Sequence, residues 1–208
     1  MTRSQLDEAF VPPRMDQAQL FALGITLAWL AGIRAYLTVF GVGLAGALGW
    51  VQLPEALQVC QSPWVLGTAG VLAMVEFGAD KIPGVDSLWD LLQTLFRVPA
   101  GAFLASSAMS ADGEWSWTGA AIGGVAALAS HGLKSGSRAM INSSPEPASN
   151  WLASGGEDGL ALGALLLVFA HPWWALTLLM VVSIGVFALV FLLFRMVFRR
   201  ARRRPATA

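Results

Sequence analysis

Long apolar stretches recur along this chain, and they constrain its fold more than any other feature. A long, uninterrupted one runs from Trp173 to Phe198 and contains few polar side chains. A helix needs about 20 apolar residues to cross roughly 30 Å of hydrocarbon. Because backbone amides inside a bilayer need hydrogen bonds within their own segment, such stretches become helices there. The pattern therefore predicts helices that cross a membrane.

Six such stretches predict an all-α, polytopic transmembrane bundle with about six spans. The first, Leu20–Leu53, contains Arg34 and would reach roughly 51 Å as one straight helix. We therefore expect a tilted or broken span near Arg34, or a helix followed by a re-entrant segment. The other predicted spans are Pro63–Lys81, Val85–Met109, Trp115–Lys134, Gly159–Ala170 (in a helix that starts near Ser154) and Trp173–Phe198.

Composition excludes several other classes of protein. Charged residues make up only 12% of the chain and hydrophobic residues 56%, whereas soluble domains carry roughly 25% charged residues. Intrinsic disorder is excluded by the same values, because it requires low hydrophobicity and high net charge. The single cysteine, Cys60, excludes an intramolecular disulfide, a zinc cluster and a CxxC redox pair. We expect no cofactor, and the sequence assigns no metal.

The arginine-rich end predicts the topology. Six of the thirteen basic residues lie between Arg195 and Arg204, and arginines beside a transmembrane helix stay on the cytoplasmic side. An even number of spans then places both termini in the cytoplasm. We expect a polar segment over 1–19 without a signal peptide, a transmembrane domain over 20–198 and a basic tail over 199–208. The expected location is a bacterial inner membrane, with lipid as the partner, a homo-oligomer left open and no nucleic acid.

Polar residues concentrate in two stretches, which we expect to form cytoplasmic elbows between spans. In the first, Glu76 and Asp80 share one helix face, and Pro83-Gly84 breaks the helix after them. Beyond the break, a second helix carries one polar stripe opposite a face of leucines. An ionisable group at membrane depth costs about 2.5–3.5 kcal/mol to insert, so it is normally paired and functional. The residues of the stripe are Asp86, Asp90, Gln93 and Arg97.

The second polar stretch places His131, Lys134 and Arg138 on one helix face, and Pro145 and Pro147 interrupt the helix beyond them. We expect the two elbows to meet, with Arg34 paired to Glu76 or Asp80. Together they provide the candidate residues for binding an ion or a substrate. These candidates are Arg34, Glu76, Asp80, Lys81, Asp86, Asp90, Arg97, His131, Lys134, Arg138, Glu146, Asn150, Glu157 and Asp158.

Three segments of the sequence carry a resemblance to a known family. They read GIRAYLTVFG, EFGADKIPGVDSLWD and HGLKSGSRAMINSSPEPASNWLASGGEDG. In this order they resemble the uncharacterised integral membrane protein family catalogued as domain of unknown function 4126. The resemblance covers about Leu20–Met180 and does not extend to the arginine tail. It implies one coherent membrane fold and no established activity.

The charged residues predict a transporter- or channel-like protein for a small ion or small polar solute, because such groups line ion pathways in membrane proteins. Two alternatives stay open. One is a structural or assembly subunit of the membrane. The other is a lipid-phosphate enzyme, in which 134–138 would bind phosphate and His131 would act as nucleophile or acid. We lean towards a protein that is not an enzyme.

Overall fold

The structure is a computed structural model that describes residues 15–82, 84–110, 113–142 and 147–202. Within these ranges the chain forms helices joined by short turns and contains no strand, which confirms the all-α prediction. A 3₁₀ helix, Glu55–Gln61, precedes the second α-helix. The α-helices are α1 (Gln17–Ala47), α2 (Pro63–Ala79), α3 (Val85–Met109), α4 (Trp117–Asn142), α5 (Pro147–Ala170) and α6 (Pro172–Arg202).

Helix α1 lies at the centre of the bundle and contacts each of the other five α-helices. It begins after Asp16, whose side chain accepts a hydrogen bond from the Gln19 N–H at 2.7 Å. The Gln19 side chain in turn accepts one from the Asp16 N–H at 3.0 Å. This reciprocal cap satisfies two donors that the start of a helix leaves open. Most of the side chains on the first half of α1 are buried in the core.

Helix α1 is broken at Arg34, as the sequence predicts. Arg34 has φ −142° and ψ 76°, far from the helical values near −63° and −42°. Beside the break, the Gly32 carbonyl accepts a hydrogen bond from Arg97 Nη1 at 3.4 Å. The Ile33 carbonyl accepts one from Lys134 Nζ at 3.3 Å. Since both donors come from other helices, tertiary contacts stabilise the break.

Helices α3 and α4 approach closely because small residues line both of their facing surfaces. A Cβ atom on Gly123 would lie 2.5 Å from the Gly101 carbonyl oxygen and would also overlap Ala105 Cβ. A Cβ atom on Gly101 would overlap Ala127 Cβ. The glycine- and alanine-rich sequence of α4 therefore permits tight packing within this chain.

Three helices in the described part of the chain are long and apolar enough to cross a membrane: Gln17–Ala47, Ala148–Ala170 and Pro172–Met196. A fourth span results if the 3₁₀ helix and α2, which meet at a bend of 66°, form one broken span. Helices α3 and α4 are long enough but less apolar. The apolar helices indicate a membrane protein, and the number of six spans stays a prediction.

Two helices extend further into polar sequence than expected. Helix α4 continues past Lys134 to Asn142, and α5 begins at Pro147 rather than near Ser154. The reason is that Lys134 and Arg138 are buried against partners on other helices, so α4 keeps its polar face inside the protein. The second polar stretch is therefore largely helical and buried in the described residues, and the expected cytoplasmic elbows stay a prediction.

Candidate functional site

Helix α3 turns its charged face inward and its apolar face outward. Its predicted polar stripe is buried, with Asp86, Asp90, Gln93 and Arg97 all at most 4% exposed. This is the reverse of a surface helix in a soluble protein. An apolar outer face of this kind is compatible with contact to lipid. The charged side chains must then pair with other groups inside the protein. The exposed leucines are Leu88 at 60%, Leu91 at 69%, Leu92 at 54% and Leu95 at 76%.

The buried charged side chains form one connected network of ion pairs, with five cations and six carboxylates from α1 to α5 and the turn after α2. Among the charged residues that the structure describes between 17 and 194, only Glu55 and Glu114 lie outside it. The cations are Arg34, Lys81, Arg97, Lys134 and Arg138. The carboxylates are Glu76, Asp80, Asp86, Asp90, Glu157 and Asp158.

Asp80 lies at the centre of this charge network and is fully buried. Its Oδ2 atom accepts hydrogen bonds from Arg34 Nη1 and, at 2.7 Å, from Lys134 Nζ. Arg34 Nη2 also lies 2.7 Å from Asp158 Oδ1. These contacts connect α1, α4 and α5 at the end of α2. Of the two expected partners of Arg34, Glu76 and Asp80, the structure pairs it with Asp80.

Arg97 is shared by two carboxylates at the deepest part of the network. Its Nη2 atom lies 2.9 Å from Glu76 Oε1 and 2.9 Å from Asp90 Oδ1, and it also donates to Gln93 Oε1. Asp90 Oδ1 lies 3.2 Å from Lys134 Nζ as well. The contacts of Asp90 are close ion pairs without hydrogen-bond geometry, so neither of its carboxylate oxygens has a hydrogen-bond partner among the described residues. Glu76 Oε2 has no such partner either.

His131 is held between Arg97 and Thr94, and both of its ring nitrogens are engaged. Arg97 Nη1 lies 3.0 Å from Nδ1, and a guanidinium only donates, so Nδ1 accepts and the ring proton is on Nε2. Nε2 then donates to Thr94 Oγ1 at 2.7 Å, and this hydroxyl donates to the Asp90 carbonyl at 3.0 Å. The histidine therefore orients Arg97, and neither nitrogen is free for nucleophilic attack.

Arg138 connects α4 to α5 and extends the network towards Asp86. Its Nε and Nη2 atoms donate to the two oxygens of Glu157 at 3.1 and 3.0 Å, the bidentate geometry that holds a carboxylate in a fixed position. Its Nη1 atom donates to Asn150 Oδ1 at 3.1 Å. Asn150 then donates to Asn142 at 3.0 Å, and Asn142 donates to Asp86 Oδ2 at 3.0 Å.

The network has one partly exposed end. The side chains of Lys81 and Asp158 are each 13% exposed and that of Glu157 is 16% exposed, whereas every other member is at most 5% exposed. Lys81 Nζ lies 3.3 Å from both Asp158 Oδ2 and Ser154 Oγ, and 3.1 Å above the Phe77 ring. The network is therefore open to the protein surface at the turn after α2.

The structure brings the predicted site residues together with one exception. Glu146 lies outside the described residues, and every other candidate belongs to the network or is hydrogen-bonded to it. Sequence reasoning missed the hydroxyls of Thr94 and Ser154, each of which lies four residues from a predicted aspartate on the same helix. This spacing of four residues on one helix is the signal that identifies them.

Within the described ranges, no three His, Cys, Asp or Glu side chains converge as metal ligands.

Comparison with known proteins gives one match. A family described as "Domain of unknown function (DUF4126)" matches residues 21–195. No curated protein and no solved structure matches the chain. The matched range contains every residue of the charge network, so the site lies wholly within the part of the chain that the family describes.

Proposed function

The chain belongs to the family DUF4126, a domain of unknown function, and from this premise we propose that it is a transporter- or channel-like membrane protein for a small ion or small polar solute. One observation carries the proposal. A continuous network of buried charges runs through a helix bundle whose outer surface is apolar. It extends from the partly exposed Lys81–Asp158 pair to the buried Glu76–Arg97 pair.

Stability alone does not account for so many buried charges. Replacing a buried ion pair by apolar residues of similar size is often neutral or stabilising, since burial removes each charge from water. Ionisable groups inside membranes instead mark pathways for ions and protons. A broken helix beside such groups is also a common feature of transporter sites, and the break at Arg34 lies within the network.

The proposed topology has six spans and both termini in the cytoplasm of a bacterial cell. Helices α3 and α4 count as spans in this proposal because their outward faces are apolar, with Val125 on α4 at 69% and Leu95 on α3 at 76% exposure. The arginine-rich end supports a cytoplasmic position for the turn after α2. The partly exposed end of the network then faces the cytoplasm. Reporter fusions at each terminus test this arrangement.

We expect wild-type protein in vesicles to move at least one small ion across the bilayer, and the Asp80→Asn protein to lose that flux. The change keeps the volume of the side chain but leaves Arg34 and Lys134 without their shared carboxylate. Flux is measured with a panel of ion-sensitive dyes under an imposed gradient. Glu55→Gln is the matched control, because Glu55 is exposed and lies outside the network.

The comparison requires that both variants insert and stay folded. Size-exclusion chromatography in detergent and the amount of protein recovered in vesicles establish this. Equal flux through Asp80→Asn and wild-type protein would overturn the proposed pathway. The absence of flux for every ion and small polar solute in the panel would overturn the transport function itself.

A structural or assembly role is the second candidate, and one observation favours it. Every cation in the network lies within 4.0 Å of a carboxylate, and the pairs join five helices. A protein that moves no solute but unfolds when these pairs are broken fits this role.

No comparable observation favours a lipid-phosphate enzyme, because carboxylates are already paired with Lys134 and Arg138. Two surface grooves, of about 530 and 440 Å³, are lined by uncharged residues.

A further inference from the structure

We infer that the ion bound by this network is the proton and that Glu76 is the residue that binds it. The inference rests on the proposed function and deepens it, since it names both the substrate and the group that carries it. The geometry around Arg97 and the balance of charge in the network support it independently of each other.

The network holds one carboxylate more than it holds cations, and this surplus lies near Arg97. Glu76 and Asp90 both contact the same Nη2 atom at 2.9 Å. Asp90 has a second cation, Lys134, at 3.2 Å, whereas Arg97 is the only cation of the network within 4.0 Å of Glu76. One added proton at this position makes the buried network neutral.

Glu76 also combines an unused carboxylate oxygen with contact to a single cation. Its side chain is 1% exposed, and Oε2 has no hydrogen-bond partner among the described residues. Asp80 Oδ1 and both oxygens of Asp90 also have no hydrogen-bond partner among the described residues, but each of these aspartates lies within 4.0 Å of two cations. A buried carboxylate oxygen without a donor is costly. An added proton removes the charge and turns that oxygen into a hydroxyl.

The charged and titratable groups around Glu76 come from three other helices and from the turn after α2. They are Arg97 on α3, Lys134 on α4, Arg34 and Tyr36 on α1, and Asp80 just beyond the end of the helix that carries Glu76. In the proposed step, a hydronium ion gives its proton to a lone pair of Glu76 Oε2. An O–H bond forms, water leaves, and Arg97 stays paired with Asp90. Release of the proton to water reverses the step.

A metal ion fits this site poorly. The carboxylates do not converge, since the described residues contain no group of three acidic, histidine or cysteine side chains placed as ligands. Each carboxylate instead faces a fixed guanidinium, ammonium or amide donor. A cation such as Na⁺ would meet Arg97 and Lys134 at the same position. A proton needs only one oxygen lone pair, which Glu76 Oε2 supplies.

Infrared difference spectroscopy tests the inference on the full chain in lipid vesicles. Between alkaline and acidic buffer, wild-type protein should gain a C=O band of a buried, protonated carboxyl group that shifts in D₂O. Glu76→Gln should lose this band, and the Glu55→Gln control should keep it. Glu76→Asp should keep a band with a shifted pH midpoint, which provides a second variant if the glutamine form does not fold.

The result also separates this inference from the proposed function. A band that persists in Glu76→Gln, or one that never appears in wild-type protein, overturns the assignment to Glu76 even if ions are transported. A band that depends on Glu76 in a protein that moves no ion supports proton binding, and the transport function then fails alone. Flux of Na⁺ or K⁺ that is independent of pH and of Glu76 overturns the proton as the ion.

Discussion

Arg97→Met should destabilise the protein by about 3–5 kcal/mol, the usual cost of removing one partner of a buried ion pair. Arg97 is fully buried and contacts both Glu76 and Asp90 at 2.9 Å. Its loss also removes the donor to the Gly32 carbonyl at the break in α1. The measurement is the midpoint of thermal or denaturant unfolding in detergent, read by tryptophan fluorescence.

The matched control for this experiment is Arg195→Met, because Arg195 is exposed near the end of α6. The same change there should leave the midpoint nearly unaltered. A double variant that also carries Glu76→Leu should recover part of the stability, since it replaces a buried pair by apolar side chains. If Arg97→Met unfolds at the wild-type midpoint, the network does not contribute to stability as argued.

Gly32→Ala should destabilise the bundle by about 3 kcal/mol, at the upper end of the usual cost of overpacking. A Cβ atom at this position would overlap Ser130 Oγ and the Ala127 carbonyl on α4. The hydroxyl can rotate away, but the backbone carbonyl cannot. Helix α4 must therefore move away from α1, and the contact of Lys134 with the Ile33 carbonyl is lost as well.

Two further variants make this prediction specific. Gly132→Ala, on α4, adds the same methyl group where no atom lies within 4 Å, so its unfolding midpoint should equal or exceed that of the wild-type protein. Ser130→Ala combined with Gly32→Ala should not restore stability, because the overlap with the Ala127 carbonyl remains. Full recovery in this double variant would contradict the account.

Much of the fold follows from local sequence patterns. Helix α3 spans Val85–Met109, as predicted, because its Pro83-Gly84 boundary and its periodic polar stripe are both local signals. The first span is expected to be tilted, broken near Arg34 or followed by a re-entrant segment, since a straight apolar helix of that length exceeds the bilayer, and the structure has the break. Helix α4 is different. Its polar end stays helical only because buried partners on other helices satisfy Lys134 and Arg138.

The sequence by itself determined which residues of this protein need partners, since a charge within an apolar helix is costly wherever that helix lies. Only the tertiary structure decided how they pair. Arg34 and Asp80 are 46 residues apart in the chain, and their contact depends on how closely α1 approaches the end of α2. The position of Glu76 beside a single shared cation likewise depends on the spacing of helices, which side-chain packing sets and local periodicity does not encode.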